Sequence, residues 1–403
     1  MARIAMVVFS YYPADPRVRR EAQVLERAGH SVDILCLRKK DEKKIESFGS
    51  VNAYRVMAGS ENKESLLKYF VLSSVFAAAA LFRLIALSLK RRHKLIQVHN
   101  MPDFLVFTAF FHKLSGVPVV LDLHDLTVEL FESKTAGKPL GAMLSVVKAV
   151  EKLSCSFADR LITTSAGFRN RLIERGVKPE KVTLVLNSAD DRVFKSPPPR
   201  AWSNIKEGPI LLYHGTVARR FGLHVAIEAL ESLRKSFPTA RLNIYGKYDP
   251  SYRAELYELV EKKGLAGCVS INGYLQLDRI SEAIATSDIG VVPYLSDPFM
   301  DLALSTKIFE YVTMGMPVVA AGLDSLKAVF DERSIKYFSP GDPADMAEKI
   351  SEFCSRPEER REFAERAEKA YSALSWPVMS GRYLETVNTL ISGIRQESSD
   401  VQY

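Results

Sequence analysis

Short apolar runs rich in β-branched residues alternate along the chain with segments of helical periodicity. The first run covers residues 4–9, and Asp15 then offers a helix N-cap with Pro16 at the first helical position. Apolar residues follow at helical spacing up to Gly29, and the next apolar run covers residues 32–37. A strand, a helix and a strand in so short a span predict a βαβ unit with parallel strands.

The same alternation continues through two halves of the chain. Further strands are predicted at 95–98, 118–123, 160–164 and 182–186, and then at 210–213, 241–245, 269–271, 289–293, 317–321 and 335–338. Between the halves, three consecutive prolines at 197–199 open a polar stretch typical of a linker. We predict an α/β protein with two doubly wound domains, at 1–195 and 209–376, joined by a linker at 196–208 and with the helical segment 377–403 completing the first domain.

Residues 69–89 form the most apolar stretch. A helix of this length could cross a membrane, pack on the sheet or lie on a membrane surface. Arg83 near its middle, and its position inside a βαβ domain, favour a helix packed on the sheet. The basic cluster that follows it keeps the membrane surface open as the alternative, and consists of Lys90, Arg91, Arg92 and Lys94.

The amino-acid composition limits the classes of partner that the chain is expected to bind. The formal charge of +7 on 403 residues suits an anionic ligand or an anionic membrane, and no recognition module accompanies it that would indicate nucleic acid. The four cysteines are scattered without metal-ligand or redox spacing, which indicates a reducing cytoplasm. The start, MARIAMVVFS, lacks a long apolar core and a cleavage site, so it is interpreted as a first strand.

The segment 303–322 offers the most specific chemistry. It reads ALSTKIFEYVTMGMPVVAAG: a polar loop with Ser305 and Thr306, an apolar helix from Lys307 to Met314, and a β-branched strand. Ser or Thr before the helix is expected to cap its free N–H groups, and a helix start with hydroxyls and a lysine can bind an anion. Glu310 lies one turn on, about 5.4 Å along the axis, and can accept from a vicinal diol. Phosphate and diol sites one turn apart fit a nucleoside diphosphate, whereas the alternative is a solvated surface helix.

Polar side chains follow the carboxyl ends of two predicted strands in the first half. His99 and Asn100 follow one strand, and His124 and Asp125 follow the next. Open α/β sheets bind ligands at this edge, where Arg17 also brings positive charge. No metal is expected, because no third ligand is spaced with the two histidines.

Several stretches, in order, resemble glycosyltransferase family 4, a retaining family that uses nucleotide sugars and has the GT-B fold. They are KIFEYVTMGMPVVA, DPRVRREAQVLERAGHSVDILC, VHNMPDFLVF, VVLDLHDL and YHGTVARRFGLHVAIEAL, the last four being similar to its polysaccharide-biosynthesis branch. The resemblance implies two Rossmann-like domains facing each other across a cleft. It also implies transfer of a sugar from a UDP- or GDP-sugar to a glycan or lipid-linked acceptor, with no cofactor or metal. The expected place is the cytoplasm, at the inner face of the membrane, with peripheral association.

The resemblance also assigns roles to residues. The implied catalytic residues are His124, Lys307 and Arg220. The implied donor-binding residues are Ser305, Thr306, Glu310, Gly215, Thr216, Arg219, Gly273, Tyr274 and Asp301. The implied acceptor-side residues are Arg17, His99, Asn100 and Asp125.

Two departures from the family pattern leave alternatives open. Leu302 stands where the family has its first glutamate, with Asp301 one place away, and the first strand lacks the usual glycine pair. The missing glutamate keeps a non-catalytic sugar-nucleotide-binding subunit open as an alternative. A nucleotide-sugar epimerase of the same architecture is a further alternative, because it would keep the fold and change only the reaction.

Overall fold

Two mainly parallel sheets organise the chain. The computed structural model describes residues 1–59, 66–135, 141–195, 200 and 202–393. The chain divides into two compact units, the first formed by Met1–Leu186 with Met379–Gln402 and the second chiefly by Asn187–Val378. Residues 196–199 and 201 of the predicted linker, and 394–403 of the predicted terminal helical segment, lie outside the described residues.

The first unit has an eight-stranded sheet in the order β3-β4-β2-β1-β5-β6-β7-β8. Its strands are β1 (Arg3–Tyr11), β2 (Ser31–Arg38), β3 (Ile45–Phe48), β4 (Val51–Ala58), β5 (Leu95–His99), β6 (Val119–Leu123), β7 (Arg160–Thr163) and β8 (Val182–Leu184). All neighbours pair in parallel except β3 with β4. The sequence did not predict β3 and β4. No residue of β3 is well buried and β4 buries only alternate residues, so no continuous apolar run marks either strand.

The helices of the first unit follow the strands. They are α1 (Pro16–Arg27), α2 (Leu66–Lys90), α3 (Phe110–Leu114), α4 (Thr127–Lys134), α5 (Gly141–Phe157) and α6 (Ala166–Glu174), with a 3-10 segment at Asp103–Ala109. The predicted cap of α1 is confirmed, because the Asp15 carboxylate accepts from the amides of Arg17 and Val18. A C-terminal helix, Trp376–Ser392, belongs to this unit from Met379 onward. Its Tyr383 hydroxyl donates to Gln97 in the middle of β5.

Helix α2 packs on the sheet, as predicted, against β1, β2 and β4. It is also long and apolar enough to cross a membrane by length and composition, and 28% of its most apolar window is buried. Its inward face is fully or nearly fully buried, at Ser73, Phe76, Ala80, Leu84 and Leu87.

The second unit has a six-stranded parallel sheet in the order β11-β10-β9-β12-β13-β14. Its strands are β9 (Ile210–His214), β10 (Arg241–Tyr245), β11 (Val269–Asn272), β12 (Ile289–Val292), β13 (Val318–Ala321) and β14 (Lys336–Phe338). Its helices are α7 (Leu223–Leu233), α8 (Pro250–Lys262), α9 (Leu277–Ala285), α10 (Thr306–Thr313), α11 (Asp324–Lys327), α12 (Pro343–Ser355) and α13 (Pro357–Ser372). The helix Trp376–Ser392 is therefore α14. Counted within this unit, the strand order is that of a dinucleotide-binding fold, which binds ligands where the order reverses, between β9 and β12.

Candidate functional site

The turn after β9 approaches α10 closely. Gly215 has φ 121°, and a Cβ added to it would lie 3.1 Å from Cε of Lys307. A Cβ added to Gly246, which follows β10, would lie 1.6 Å from the Gly215 carbonyl oxygen. Glycine at both positions therefore lets two backbones and the lysine side chain converge at the reversal point of the sheet.

Lys307 is the second residue of α10 and is only 7% exposed. Its ammonium donates to the hydroxyl of Tyr294 and lies 4.5 Å from the centre of that ring. It also lies 4.6 Å from the ring centre of Tyr213, and Ser305 Oγ is 3.5 Å away. Among the residues that the structure describes, no carboxylate pairs with it. Because a buried charge is costly unless an opposite charge compensates it, this ammonium indicates a site for an anion.

The start of α10 differs from the prediction. Ser305 occupies the N-cap position, but its side chain makes no capping hydrogen bond and instead bonds to the Tyr294 hydroxyl at 2.8 Å. The prediction that Ser305 caps α10 is therefore wrong, because its hydroxyl is hydrogen-bonded to Tyr294 instead. The helix also begins one residue earlier than predicted, at Thr306. The free amides of the first turn of α10 still form the positive end of the helix dipole, and they face the space before the helix.

Glu310 lies one turn after Lys307, in the same buried surface, and is 8% exposed. Its Oε2 is 3.2 Å from Nε2 of His214, the last residue of β9. Burial lowers the pKa of His214 to about 3, and the charge of Lys307 acts in the same direction. The imidazole beside the Glu310 carboxyl group is therefore neutral at physiological pH.

Arg219 and Arg220, the two arginines predicted to act on the donor, make different contacts. Both lie in the 3-10 turn Arg219–Phe221 between β9 and α7. Arg219 is exposed and pairs with Glu255 on α8 at 2.8 Å. The Arg220 guanidinium lies 5.7 Å from the ring centre of Phe299, in the loop between β12 and α10. Of the two, only Arg220 contacts the loop that also carries Tyr294.

The remaining residues predicted to bind the donor lie in loops of the second unit. Asp301, partly buried, accepts from Ser296 Oγ at 2.7 Å, and burial raises the pKa of its carboxyl. The Gly273 carbonyl accepts from the Gly246 amide at 3.2 Å, which ties the turn after β11 to the glycine pair. Tyr274 is 60% exposed, with Lys247 Nζ 5.4 Å from its ring centre. Thr216 is exposed next to Gly215.

In the first unit, a buried carboxylate joins the predicted residues. Asp122, in β6, accepts from Arg17 Nε and from the Arg17 terminal nitrogen, both at 2.8 Å. The same carboxylate lies 3.1 Å from His99 Nδ1 and 3.3 Å from His124 Nε2. The structure thus brings Arg17, His99 and His124 together, and the residue that joins them is one that the sequence analysis missed. A charged residue inside the apolar run VVLDL was the available signal.

The protonation states follow from Asp122. Burial alone would raise the pKa of its carboxyl, but the charges of Arg17 and His124 and the hydrogen bonds from the two histidines together hold the pKa well below the usual value. Burial lowers the pKa of His99, whereas for His124 the Asp122 carboxylate outweighs burial and raises the pKa. His124 is also the member of the group with exposed side-chain surface, 20%. The group therefore presents one polarised imidazole at the carboxyl edge of the sheet.

A second layer supports this group. Glu21 on α1 accepts from Gln97 at 2.6 Å and lies 3.3 Å from Arg17. Burial, reinforced by the negative charge of Asp122, raises the pKa of Glu21 to about 8, so its carboxyl is protonated at neutral pH. Arg17 is thus balanced chiefly by the bidentate Asp122.

The expectation that no third metal ligand accompanies the histidines is wrong. Atoms of His99, Asp122 and His124 lie within 4.8 Å of one another, and this is the one such group found in the described ranges. Both oxygens of Asp122, however, accept from the Arg17 guanidinium. A cation bound there would meet that fixed positive charge, so the donor set does not suit a metal ion.

Asn100 and Asp125, the last two of the predicted acceptor-side residues, lie in the loops that follow β5 and β6. Asn100 donates to Asp103 at 2.9 Å and to the Asp125 carbonyl at 2.6 Å. Its side-chain oxygen accepts from the His124 amide at 2.8 Å. The Asn100 side chain therefore fixes the backbone that carries His124, and Asp125 lies partly buried in the same loop.

Comparison with known proteins places both halves of the chain. Residues 14–188 match the family described as glycosyl transferase 4-like domain, and residues 208–356 match the family of glycosyl transferases group 1. The chain is 25% identical over 292 residues to sulfoquinovosyl transferase SQD2 of Arabidopsis thaliana, covering 69% of this chain and 53% of that protein. It is 23% identical to the alpha-D-kanosaminyltransferase of Streptomyces kanamyceticus, covering 82% and 84%. The chain spans about half the length of the first of these relatives.

Solved structures share the fold. The sucrose-phosphate synthase of Thermosynechococcus elongatus superposes with a TM-score of 0.78 at 18% identity, covering 98% of this chain and all of that one. Anabaena HepE, solved in complex with UDP, superposes with a TM-score of 0.70 at 17% identity, covering 96% and 100%. WaaG, a glycosyltransferase involved in lipopolysaccharide biosynthesis, superposes with a TM-score of 0.68 at 16% identity, covering 97% and 100%.

Proposed function

The chain is a glycosyltransferase of the family 4 type with the GT-B fold, and from that premise we propose what it transfers and how. We propose that it moves a sugar from a UDP- or GDP-sugar to a glycan or lipid-linked acceptor, with retention of configuration, in the biosynthesis of a surface polysaccharide or glycoconjugate. The reaction takes place in the cytoplasm, at the inner face of the membrane.

One observation carries the donor side of this proposal: the Lys307 ammonium, buried without a carboxylate partner among the described residues. A diphosphate would supply the missing negative charge. The Gly215 turn lets a phosphate approach the backbone, and the start of α10 directs its amides at the same place. Glu310, one turn further, is positioned to accept from the two hydroxyls of a ribose.

The same groups suit bond cleavage without a metal ion or cofactor. Breaking the bond between the sugar and the diphosphate moves negative charge onto the departing phosphate. Lys307, Arg220 and the first amides of α10 would meet that charge as it develops, and such preorganised donors lower the barrier. The sequence contains no D-x-D metal motif at the loops concerned.

The first unit supplies a group suited to the sugar end. His124 is partly exposed and hydrogen-bonded into the Asp122 group, with its pKa raised. It can therefore exchange a proton or a hydrogen bond with a hydroxyl. Asn100, which holds the His124 amide, would keep the imidazole in place.

Nucleotide binding provides the test. Isothermal titration with UDP and GDP should show one of them binding, and Lys307→Met should weaken that binding at least tenfold. Lys327→Met is the matched control, because Lys327 is an exposed lysine of the same unit that also lies near a tyrosine ring. If Lys307→Met binds UDP and GDP as well as the control does, Lys307 is not the anion site.

Turnover separates the proposed reaction from its rivals. With the bound nucleotide sugar, a transferase releases nucleotide when acceptor is added, and the anomeric proton signal of the product reports retention. An epimerase would convert the sugar without acceptor, and a non-catalytic subunit would bind donor without turnover. Either of the last two results would overturn the proposed reaction while leaving the fold assignment intact.

A further inference from the structure

Helix α2 exposes an apolar stripe along its whole length. Five large members are at least half exposed: Leu67 at 73%, Val71 at 51%, Val75 at 53%, Phe82 at 70% and Leu89 at 83%. With the exposed Ala78 and Ala86, they recur every three or four residues, so they form one face of the helix. The opposite face is the one buried against the sheet. The helix is therefore apolar both toward the core and toward the outside.

The stripe continues onto neighbouring elements through aromatic contacts. The ring centres of Phe70 on α2 and Phe104 lie 5.8 Å apart. Phe107 and Phe110 lie 5.2 Å and 6.4 Å from Phe157, the last residue of α5. We call the exposed apolar side chains of α2, of residues 103–114 and of α5 the apolar layer. Its further exposed members are Phe111, Leu114, Met143, Val146 and Leu153.

The topology places the apolar layer on one face of the sheet. Helix α2 connects β4 to β5, residues 103–114 connect β5 to β6, and α5 lies on the connection from β6 to β7. All three connections advance in the same direction across the sheet order. Because such crossovers are right-handed, the three segments cover the same face.

The charges of the apolar layer have one sign on the outside. Its three segments contain six basic residues, Lys68, Arg83, Lys90, Lys113, Lys148 and Lys152. Their two carboxylates, Asp103 and Glu151, are 2% and 3% exposed. Lys113 and Lys148 pair with acids of neighbouring segments, Asp159 and Glu132. Arg91, Arg92 and Lys94 extend the basic rim beyond the end of α2, and all three are exposed.

We propose that the apolar layer docks on the surface of an anionic lipid bilayer, with the stripe of α2 lying in the plane of the membrane. A contiguous exposed apolar surface that extends over three segments typically marks an interaction site. An apolar centre with a basic rim and no exposed carboxylate on its own segments matches the boundary between acyl chains and anionic headgroups. The proposal deepens the proposed function, because it rests on that function for the membrane-bound acceptor, whereas the binding itself needs no catalysis.

The structure favours docking in the plane over crossing the bilayer. The inward face of α2 is buried on the sheet, and removing it would uncover β1, β2 and β4. The end of the helix is also fastened by polar contacts: Ser88 Oγ lies 2.7 Å from His93 Nδ1, and His93 Nε2 lies 2.8 Å from Asp33 of β2. A spanning helix would have to break both.

A second copy of the chain fits the surface less well. A twofold interface brings the same patch of both copies together. The basic rim of one apolar layer would then meet like charges on the other, with no exposed carboxylate on these segments to offset them.

Vesicle flotation tests the proposal with the full chain. Wild-type protein should float with vesicles of phosphatidylglycerol and phosphatidylethanolamine, and less with pure phosphatidylcholine. The variant V71S/V75S/F82S should lower the partition coefficient at least tenfold. Ile45→Ser is the matched control, because Ile45 is a 53% exposed apolar residue on β3 of the same unit. The variant R91Q/R92Q/K94Q should lower binding to the anionic vesicles only, and K235Q/K262Q, two exposed lysines of the second unit, should not.

Two further experiments measure how deeply α2 inserts into the bilayer and whether a second copy of the chain occupies the same surface. Lipids brominated in the acyl chains should quench the fluorescence of the tryptophan introduced by F82W and not of the one introduced by I45W, each taken as the difference from wild type. Light scattering in the absence of lipid should show a monomer. No flotation of wild type, equal flotation of V71S/V75S/F82S, or a dimer that V71S/V75S/F82S abolishes would each overturn the proposal.

A measurement of nucleotide binding distinguishes a failure of the docking proposal from a failure of the proposed function. Binding of UDP and GDP is followed in parallel with flotation. Wild type that binds nucleotide but not vesicles refutes the docking surface alone. Wild type that binds vesicles but neither nucleotide refutes the proposed function alone.

Discussion

A buried cation of the first unit, Arg17, and a buried cation of the second unit, Lys307, have opposite surroundings. Arg17, 4% exposed, is held by both oxygens of Asp122. Lys307, 7% exposed, is surrounded by aromatic rings and hydroxyls, and no carboxylate in the described part of the chain pairs with it.

The difference separates a structural charge from a binding charge. A compensated buried cation holds a fold together, and its loss leaves its partner stranded. An uncompensated one costs stability and persists where a ligand completes it. Arg17 therefore holds Asp122, which in turn contacts His124, whereas we propose that Lys307 is available to bind the donor. Substitutions at the two cations and their contacts should therefore have opposite effects on stability and turnover.

The largest expected effect concerns Asp122. Asp122→Asn leaves the Arg17 charge buried without a full counter-charge, which typically costs about 3–5 kcal/mol. Hydrogen-exchange mass spectrometry should show the loss as faster exchange in peptides of β1, β5 and β6, with peptides of the second unit unchanged. Glu255→Gln breaks an exposed ion pair and serves as the control, with little change expected. Equal effects of the two substitutions would mean that Asp122 does not compensate Arg17.

Lys307→Met should show the reverse pattern. Removing an uncompensated buried charge should leave stability unchanged or raise it. The turnover number should fall by about 10²–10³-fold, the range seen when one donor to a developing anion is removed. Thermal unfolding without nucleotide and steady-state kinetics with the correct donor measure the two quantities. A destabilised Lys307→Met protein with normal turnover would show that the lysine is structural, like Arg17.

Glu310→Gln should fail differently from Lys307→Met. A ribose does not change during the reaction, so its contact stabilises ground and transition states alike. One charge-assisted hydrogen bond is worth about 1.5–3 kcal/mol, and about 1.4 kcal/mol corresponds to a factor of ten. The donor KM should therefore rise about tenfold or more, with kcat changed less. Glu332→Gln, an exposed glutamate of the same unit, should leave both constants unchanged. A fall in kcat alone would place Glu310 at the reacting bond.

The smallest effect is a titration shift. The Lys307 charge is the second cause, after burial, of the lowered pKa of His214. Lys307→Met should therefore raise this pKa from about 3, while burial keeps it below the ordinary value of 6.5. NMR of histidine ring carbons would follow the shift, with Lys327→Met as the control. An unchanged titration would mean that the ammonium does not lie beside the imidazole.

The same pKa predicts an acid dependence. Between pH 6.5 and about 3 the unfolded chain binds a proton at His214 that the folded protein does not. Stability must then fall as pH falls through that window. His214→Gln should remove this part of the acid sensitivity, which stability measurements at about pH 7 and about pH 5 would reveal. A pH dependence equal to that of wild type would show that His214 is protonated in the fold.

Local pattern determined much of this protein. Apolar β-branched runs place most strands, and Asp15 with Pro16 determines the start of α1, because a cap and a fixed φ act within a few residues. Spacing along one helix likewise put Lys307 and Glu310 one turn apart. The two half-buried strands β3 and β4 escaped prediction, because their pattern depends on which face the rest of the chain covers.

Tertiary structure alone decided what each charge meets. Asp122 lies 105 residues from Arg17 in sequence, and only the parallel pairing of β5 with β6 and the packing of α1 bring them together. Tyr294 takes the Ser305 hydroxyl away from its expected capping role. Composition made α2 apolar on every side, but the sheet decided which side is buried and which remains outside. Periodicity can be read from the chain because backbone geometry is local, whereas burial and charge compensation depend on residues that only folding makes neighbours.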